Sequence, residues 1–265
     1  MLVSAERPVV WGVQGGTAPA SFMLLTVGAG GAARLTVASG WPRHPPFDEI
    51  GTYAWRIARD DLAELLTWRP GGGEALPAAT RDSGIEYLHV WAPAEPGMPA
   101  QGVEAQWNAL ARPPAVEGCL RLVERLVAEG RRHPVRVLRG SLSLLADDAR
   151  VAVRLSSVGA EPFAFGGDEA GSRRRAYGAA VSRADVARAD ALPPRLVGLE
   201  AAELDVGLAL APGEEESVAL EWLDPGGGEA VAVLIEAALP LVSPSGETYL
   251  QPAWILPDPV LRAAR

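Results

Sequence analysis

Lysine is absent from this chain, and all 24 basic residues are arginine. A GC-rich coding sequence, which favours Arg, Ala, Gly and Pro, accounts for the bias, but the chemical consequence holds whatever its origin. With no ε-amino group there is no Schiff base, no P-loop lysine, no kinase-type strand lysine and no Ser-x-x-Lys nucleophile pair. Cysteine is nearly absent too. A single thiol, Cys119, excludes internal disulfides and cysteine-rich zinc sites together. His44, His89 and His133 are the three histidines, and none stands four residues from another. Phe and Tyr number four each, so the eight Trp supply most of the aromatic bulk. No run of ~18 apolar residues occurs, which argues against a membrane-spanning helix. The opening MLVSAERPVVWG places Glu6 and Arg7 where an export signal needs an unbroken apolar stretch. Together these absences predict a bacterial-type protein of the cytoplasm.

What is present is ordinary for a folded protein. The 265 residues, 48% hydrophobic and 22% charged, suffice for one large or two medium domains with buried cores. A net charge of −9 lacks the basic field that displaces counterions from nucleic acid. It is compatible with a basic protein partner.

Local patterning divides the chain near residue 131. Residues 21–27 and 33–39 are β-prone runs separated by Gly28, Gly30 and Gly31, which predicts a hairpin. A third strand fits 50–58, where Tyr53, Trp55 and Ile57 alternate with smaller or polar neighbours. A short helix is expected over 61–69, capped by Asp60 or Asp61, with Leu62, Leu65 and Leu66 on one face. Residues 85–91 form another expected strand, with Ile85, Tyr87, His89 and Trp91 to one side. The clearest helix spans 114–129. Val116, Cys119, Leu120, Val123, Leu126 and Val127 make one apolar stripe, Pro113 and Pro114 suit its start, and Gly130 suits the C′ position.

After His133 the texture changes to strands and turns. Expected strands are 135–145, 150–157, 203–210, 217–223, 229–238 and 248–256, joined by spacers such as APGEEE (211–216) and DPGGGE (224–229). The stretch 158–200 reads as a long irregular segment, with room for a short helix near 181–189. LALAPGEEESVALEW (208–222) resembles the strand, turn and strand of bacterial immunoglobulin-like domains. RVAVRLSSVGAEPFAF (150–165) is similar to the strand such domains run into an Asn-bearing turn, with Ser157 in place of Asn. The resemblance covers about half the chain and implies a sandwich without implying an activity. The fold class expected is therefore an α+β amino-terminal domain over 1–131, an antiparallel sheet with two helices, followed by an all-β immunoglobulin-like sandwich over 132–265.

Few motifs carry chemistry. Gly28–Ala29–Gly30–Gly31–Ala32–Ala33 matches a dinucleotide-binding pattern, but the β-prone residues after it leave no helix for a pyrophosphate to meet. Asp60–Asp61–Leu62–Ala63–Glu64 resembles the metal-binding acidic clusters of isoprenoid enzymes. A facing second cluster is missing, so acids at the positive end of a helix dipole explain it more cheaply. His44 near Asp48 and Glu49 reads as a solvated loop group, His89 as a core or half-buried strand residue, and Cys119 as an inert core thiol. No catalytic, cofactor-binding or metal residue is assigned, and no cofactor is expected. Arg173–Arg174–Arg175, with Tyr177 close by, is the densest basic patch and suits carboxylate or phosphate groups of a partner. Trp41 and Trp107, in Gly/Pro-rich or polar surroundings, are the Trp residues expected at the surface. These six residues are the candidate partner-binding set. The function expected is a non-catalytic module that binds another protein, with a dispersed-site hydrolase or a carbohydrate-binding module as the alternatives.

Overall fold

A computed structural model describes residues 8–15, 21–39, 46–68, 84–92, 101–109, 112–145, 151–164, 175–181, 200–203, 209–220, 230–242 and 248–261. The chain divides into two compact units. Unit 1 comprises Met1–Val37 and Thr52–Val135, and unit 2 comprises Ala38–Gly51 and Arg136–Arg265.

Unit 1 is built on β1 (Val9–Gly15), β2 (Ser21–Val27), the first part of β3 (Ala32–Ser39), β5 (Ile85–Ala92) and β6 (Gln101–Asn108). Their order is β3-β2-β1-β5-β6. The hairpin read from the glycines is present. Gly28 and Gly31 close it through Gly28 N to Ala32 O at 2.8 Å and Gly31 N to Gly28 O at 2.9 Å. Gly31 adopts φ 78°, a left-handed conformation that a side chain disfavours. One sheet face buries Val9, Trp11, Val13, Met23, Leu25, Val27, Leu88, Val90 and Trp107. This is the period-two alternation of a half-buried strand applied across neighbours.

Two helices belong to the same unit. In α1 (Arg59–Thr67) only Leu65 is fully buried, and the helix lies against β5. Its N-cap is Ala58, which makes no side-chain cap bond. Asp60 and Asp61 stand in the first turn instead of capping it. There they still favour the helix through its dipole, and Asp61 accepts two bonds from Arg125 at 2.7 and 3.1 Å. The longer α2 (Pro114–Gly130) buries the expected stripe together with Leu122. Gly130 is the last helical residue rather than a left-handed C′ residue, and Arg131 provides a right-handed C-cap. Its lack of a side chain serves contact: a Cβ there would stand 2.3 Å from the ring of Trp55.

Unit 2 contains β7 (Pro134–Leu144, from Arg136 onward), β8 (Val151–Ser157), β10 (Arg175–Val181), β11 (Glu200–Glu203), β13 (Glu215–Leu220), β14 (Ala230–Val242), β15 (Thr248–Ile255), β16 (Val260–Leu261) and part of β4 (Glu49–Arg56). One run of pairings is β11-β10-β14-β15, with β16 on β14. Another is β4-β7-β8-β13. The short strands β9 (Phe163–Ala164) and β12 (Ala209–Leu210) pair separately and bury Phe163 and Leu210. Gly51 in β4 has φ 144°, and a Cβ there would lie 2.0 Å from the carbonyl oxygen of Arg136.

This architecture corrects the expected fold class. The first 131 residues are not an α+β domain standing ahead of a separate sandwich. Fourteen strands are joined by pairing into one sheet, predominantly antiparallel, and the only helices described are α1 and α2. The three crossings between units fall inside β3, β4 and β7 rather than in a linker. Pairing partners distant in sequence created this arrangement, and local periodicity does not encode them. The stretch expected to be irregular contributes β9 and β10. The expected strand 203–210 meets β11 at Glu203 and β12 at Ala209–Leu210, with 204–208 outside the described residues, and the helix expected near 181–189 falls outside the described residues beyond Val181. No helix among the described residues is long and apolar enough to cross a membrane.

Candidate functional site

Three groupings of polar side chains stand out. The first is deep in unit 1. Glu86, in β5, is fully buried, yet its carboxylate is saturated with donors. Trp11 Nε1 donates to Oε1 at 3.1 Å and Trp107 Nε1 to Oε2 at 3.0 Å. Arg112 adds a two-pronged contact, Nε to Oε2 and a terminal nitrogen to Oε1, both at 3.0 Å. The third nitrogen of the Arg112 guanidinium reaches Glu124 in α2. Burial alone would lower the Arg112 guanidinium, but its bonds to Glu124 and Glu86 carry it upward. Every prong of this cluster is occupied by the protein itself, so its role is to fix the sheet and α2.

The second grouping lies on the opposite face of β5. His89 is 4% exposed and neither ring nitrogen has a hydrogen-bond partner. Glu104, directly across in register on β6, comes to 3.7 Å of Nδ1, and the Tyr87 ring is 5.2 Å away, tilted at 50°. That separation is too long for a hydrogen bond. Burial pushes the imidazole below its ordinary value, and Glu104 only partly opposes this. The residue is a neutral core histidine, as its register in the sequence suggested. His133 is exposed in the turn after α2, and His44 lies outside the described residues. Among the described residues, no group of three His, Cys, Asp or Glu side chains converges as a metal site.

The third grouping is in unit 2. Backbone pairing places Glu236 in β14 opposite Arg175 in β10 on one side and opposite Trp254 in β15 on the other. Trp254 in turn pairs with Ser39. Cross-strand partners share a sheet face, so Arg175, Glu236, Trp254 and Ser39 form one row over four strands. Tyr177, one step along β10 on the same face, donates its hydroxyl to Glu236 Oε2 at 2.8 Å. Its ring centroid lies 6.2 Å from that of Trp254, with the planes inclined at 47°. Tyr177, Glu236 and Trp254 are all half-buried. Ser39 is buried, and its Oγ has no partner. The opposite face is core, where Ala176, Val233, Ile235, Ala253 and Ile255 are fully buried.

Of the six residues expected to meet a partner, Tyr177 stands in this third grouping and Arg175 joins its row by backbone register. Arg173, Arg174 and Trp41 lie outside the described residues. Trp107 does not belong to a surface: it is fully buried because its indole N–H serves Glu86. Sequence reasoning missed Glu236, and a signal for it existed. It is the single charged residue in the thirteen-residue strand AVAVLIEAALPLV. Cys119 is buried in α2, and burial, with a smaller push from Glu64, raises its thiol to about 12. Comparison with protein families, with characterised proteins and with solved structures finds no match to this chain.

Proposed function

We propose that the chain is a non-catalytic protein-binding module that docks its partner on the Tyr177–Glu236–Trp254 face of unit 2. The observation that carries this reading is the pair of half-buried rings, Tyr177 and Trp254, held on either side of Glu236 by paired strands. Large aromatics with a polar tip contribute most where an interface desolvates them, and they lose little side-chain freedom on binding. Paired strands supply a preorganised surface, which lowers the ordering cost of association. The tilt of 47° between the rings favours a side chain inserted against them over the flat face of a sugar. The acidic balance, −9 overall, suits a protein partner rather than nucleic acid or an anionic membrane. This reading places the module in the bacterial cytoplasm.

The test is reconstitution. A protein captured on the full chain from cells of the source organism is purified, and its complex with the chain is measured by light scattering and calorimetry. The expected result is a stoichiometric complex whose affinity drops at least tenfold in Tyr177→Ala or Trp254→Ala, both checked for native circular dichroism. A complex that forms equally well with these variants overturns the reading.

A further inference from the structure

We propose that the partner presents a basic segment, with one arginine guanidinium seated against Trp254 and Tyr177 and paired with Glu236. The inference rests on the docking face argued above and specifies the chemistry of its occupant. Apart from Arg175, which joins the row by backbone register, what the row offers a ligand is a carboxylate and two π-faces. Glu236 is a carboxylate that spends one bond on the Tyr177 hydroxyl. A carboxylate accepts at about four lone-pair positions, so capacity remains. The faces of Tyr and Trp attract cations through the ring quadrupole. At the end of the row, the Ser39 hydroxyl is buried without a partner. It sits one strand from Trp254, roughly 4.8 Å away at the backbone. A buried hydroxyl left unpaired is uncommon and carries a desolvation cost.

A ligand that satisfies the carboxylate and the two rings is cationic, flat enough to lie on a ring and rich in donors. Guanidinium meets each demand: it stacks on aromatic faces, pairs with carboxylate and has donors to spare. Ammonium meets the charge requirement but neither stacks nor forks. The acidic character of the whole chain would draw such a segment in from solution. Backbone register sets Arg175 opposite Glu236, so the test includes Arg175→Ala.

The experiment uses the full-length chain and three fluorescein-labelled peptides of identical Gly/Ser sequence, differing only at two central residues: arginine, lysine or citrulline. Citrulline keeps the shape of arginine and removes the charge, so the decisive comparison needs no change in the protein. Anisotropy at low salt is expected to show binding of the arginine peptide, at least fivefold weaker binding of the lysine peptide and at least tenfold weaker binding of the citrulline peptide. Glu236→Gln, which preserves shape, is expected to weaken the arginine peptide about tenfold while leaving the citrulline peptide unchanged. Equal binding of arginine and citrulline, or no effect of Glu236→Gln, overturns the proposal. Binding that appears only in Arg175→Ala also overturns it, because the chain's own arginine would then be the occupant. The two readings fail separately. A reconstituted partner that needs Trp254 but tolerates Glu236→Gln and loss of its own arginines leaves the docking face standing and removes the basic segment.

Discussion

Trp107 and Glu86 face each other across β6 and β5, and the indole Nε1 donates to the buried carboxylate at 3.0 Å. That bond explains why a tryptophan in the polar strand QGVEAQWN is fully buried, and why a glutamate sits in the apolar run IEYLHVW. Glu86→Ala leaves Arg112 and two indole N–H groups without their shared acceptor. Removing one member of a buried ion pair costs about 3–5 kcal/mol, and a loss of this size is expected in urea denaturation. Glu86→Gln keeps some of these bonds and should fall between the variant and the parent. An unchanged midpoint for Glu86→Ala would show that the cluster contributes nothing to stability.

Two glycines of α2 are expected to respond with opposite signs. Nothing lies within 4 Å of a Cβ added at Gly118, which is exposed, so Gly118→Ala should gain up to about 1 kcal/mol from helix propensity. At Gly130 the same methyl meets the Trp55 ring at 2.3 Å. There overpacking outweighs propensity, and a loss of about 1–3 kcal/mol is expected. Thermal or urea unfolding of the two single variants decides the matter.

His89 makes stability depend on pH in a defined direction. Its folded-state value is depressed by burial, while the unfolded chain titrates near the ordinary 6.5. Below that value the unfolded state binds a proton that the folded state resists, so stability is intact above about pH 6.5 and declines as the pH falls. Wild-type protein should lose denaturation midpoint between pH 7.5 and 5.5, and His89→Gln should lose less. Glu104→Gln removes the group that partly supports the imidazolium and should steepen the decline. A His89→Gln profile parallel to that of the parent would contradict this.

Cys119 is expected to be inert in the native state. With its thiol pushed up to about 12 by burial, almost no thiolate exists at neutral pH. A chromogenic disulfide reagent should label it only after urea is added, and rapid labelling of native protein would refute its burial.

Local patterns were readable in the sequence wherever neighbours in the chain decide the structure. The Gly28–Gly31 turn and the Val116 to Val127 stripe needed only their own residues. Readings failed where distant residues decide. The β1 strand was overlooked because Gly12 interrupts VVWGVQG, and the reason for that glycine is Tyr87: a Cβ there would stand 2.4 Å from its ring. Trp107 was expected at the surface because its neighbours in β6 are polar, and the glutamate that holds it buried lies 21 residues away. The expected fold class, an α+β domain ahead of a separate sandwich, failed for the same reason. Glu49 meets Arg139 across 90 residues at 3.0 Å, which no window of sequence reports. In the third polar grouping, Tyr177 was visible beside the arginine run, while Glu236 and Trp254 join it only through strand order.

Hydrogen–deuterium exchange of the chain with and without its reconstituted partner tests the central claim most directly. Peptides covering Arg175–Val181, Glu236 and Trp254 should gain protection on complex formation, while those covering β1, β5 and β6 stay unchanged. Protection confined to β1, β5 and β6, with no change around Glu236 and Trp254, would place the partner elsewhere and contradict the account.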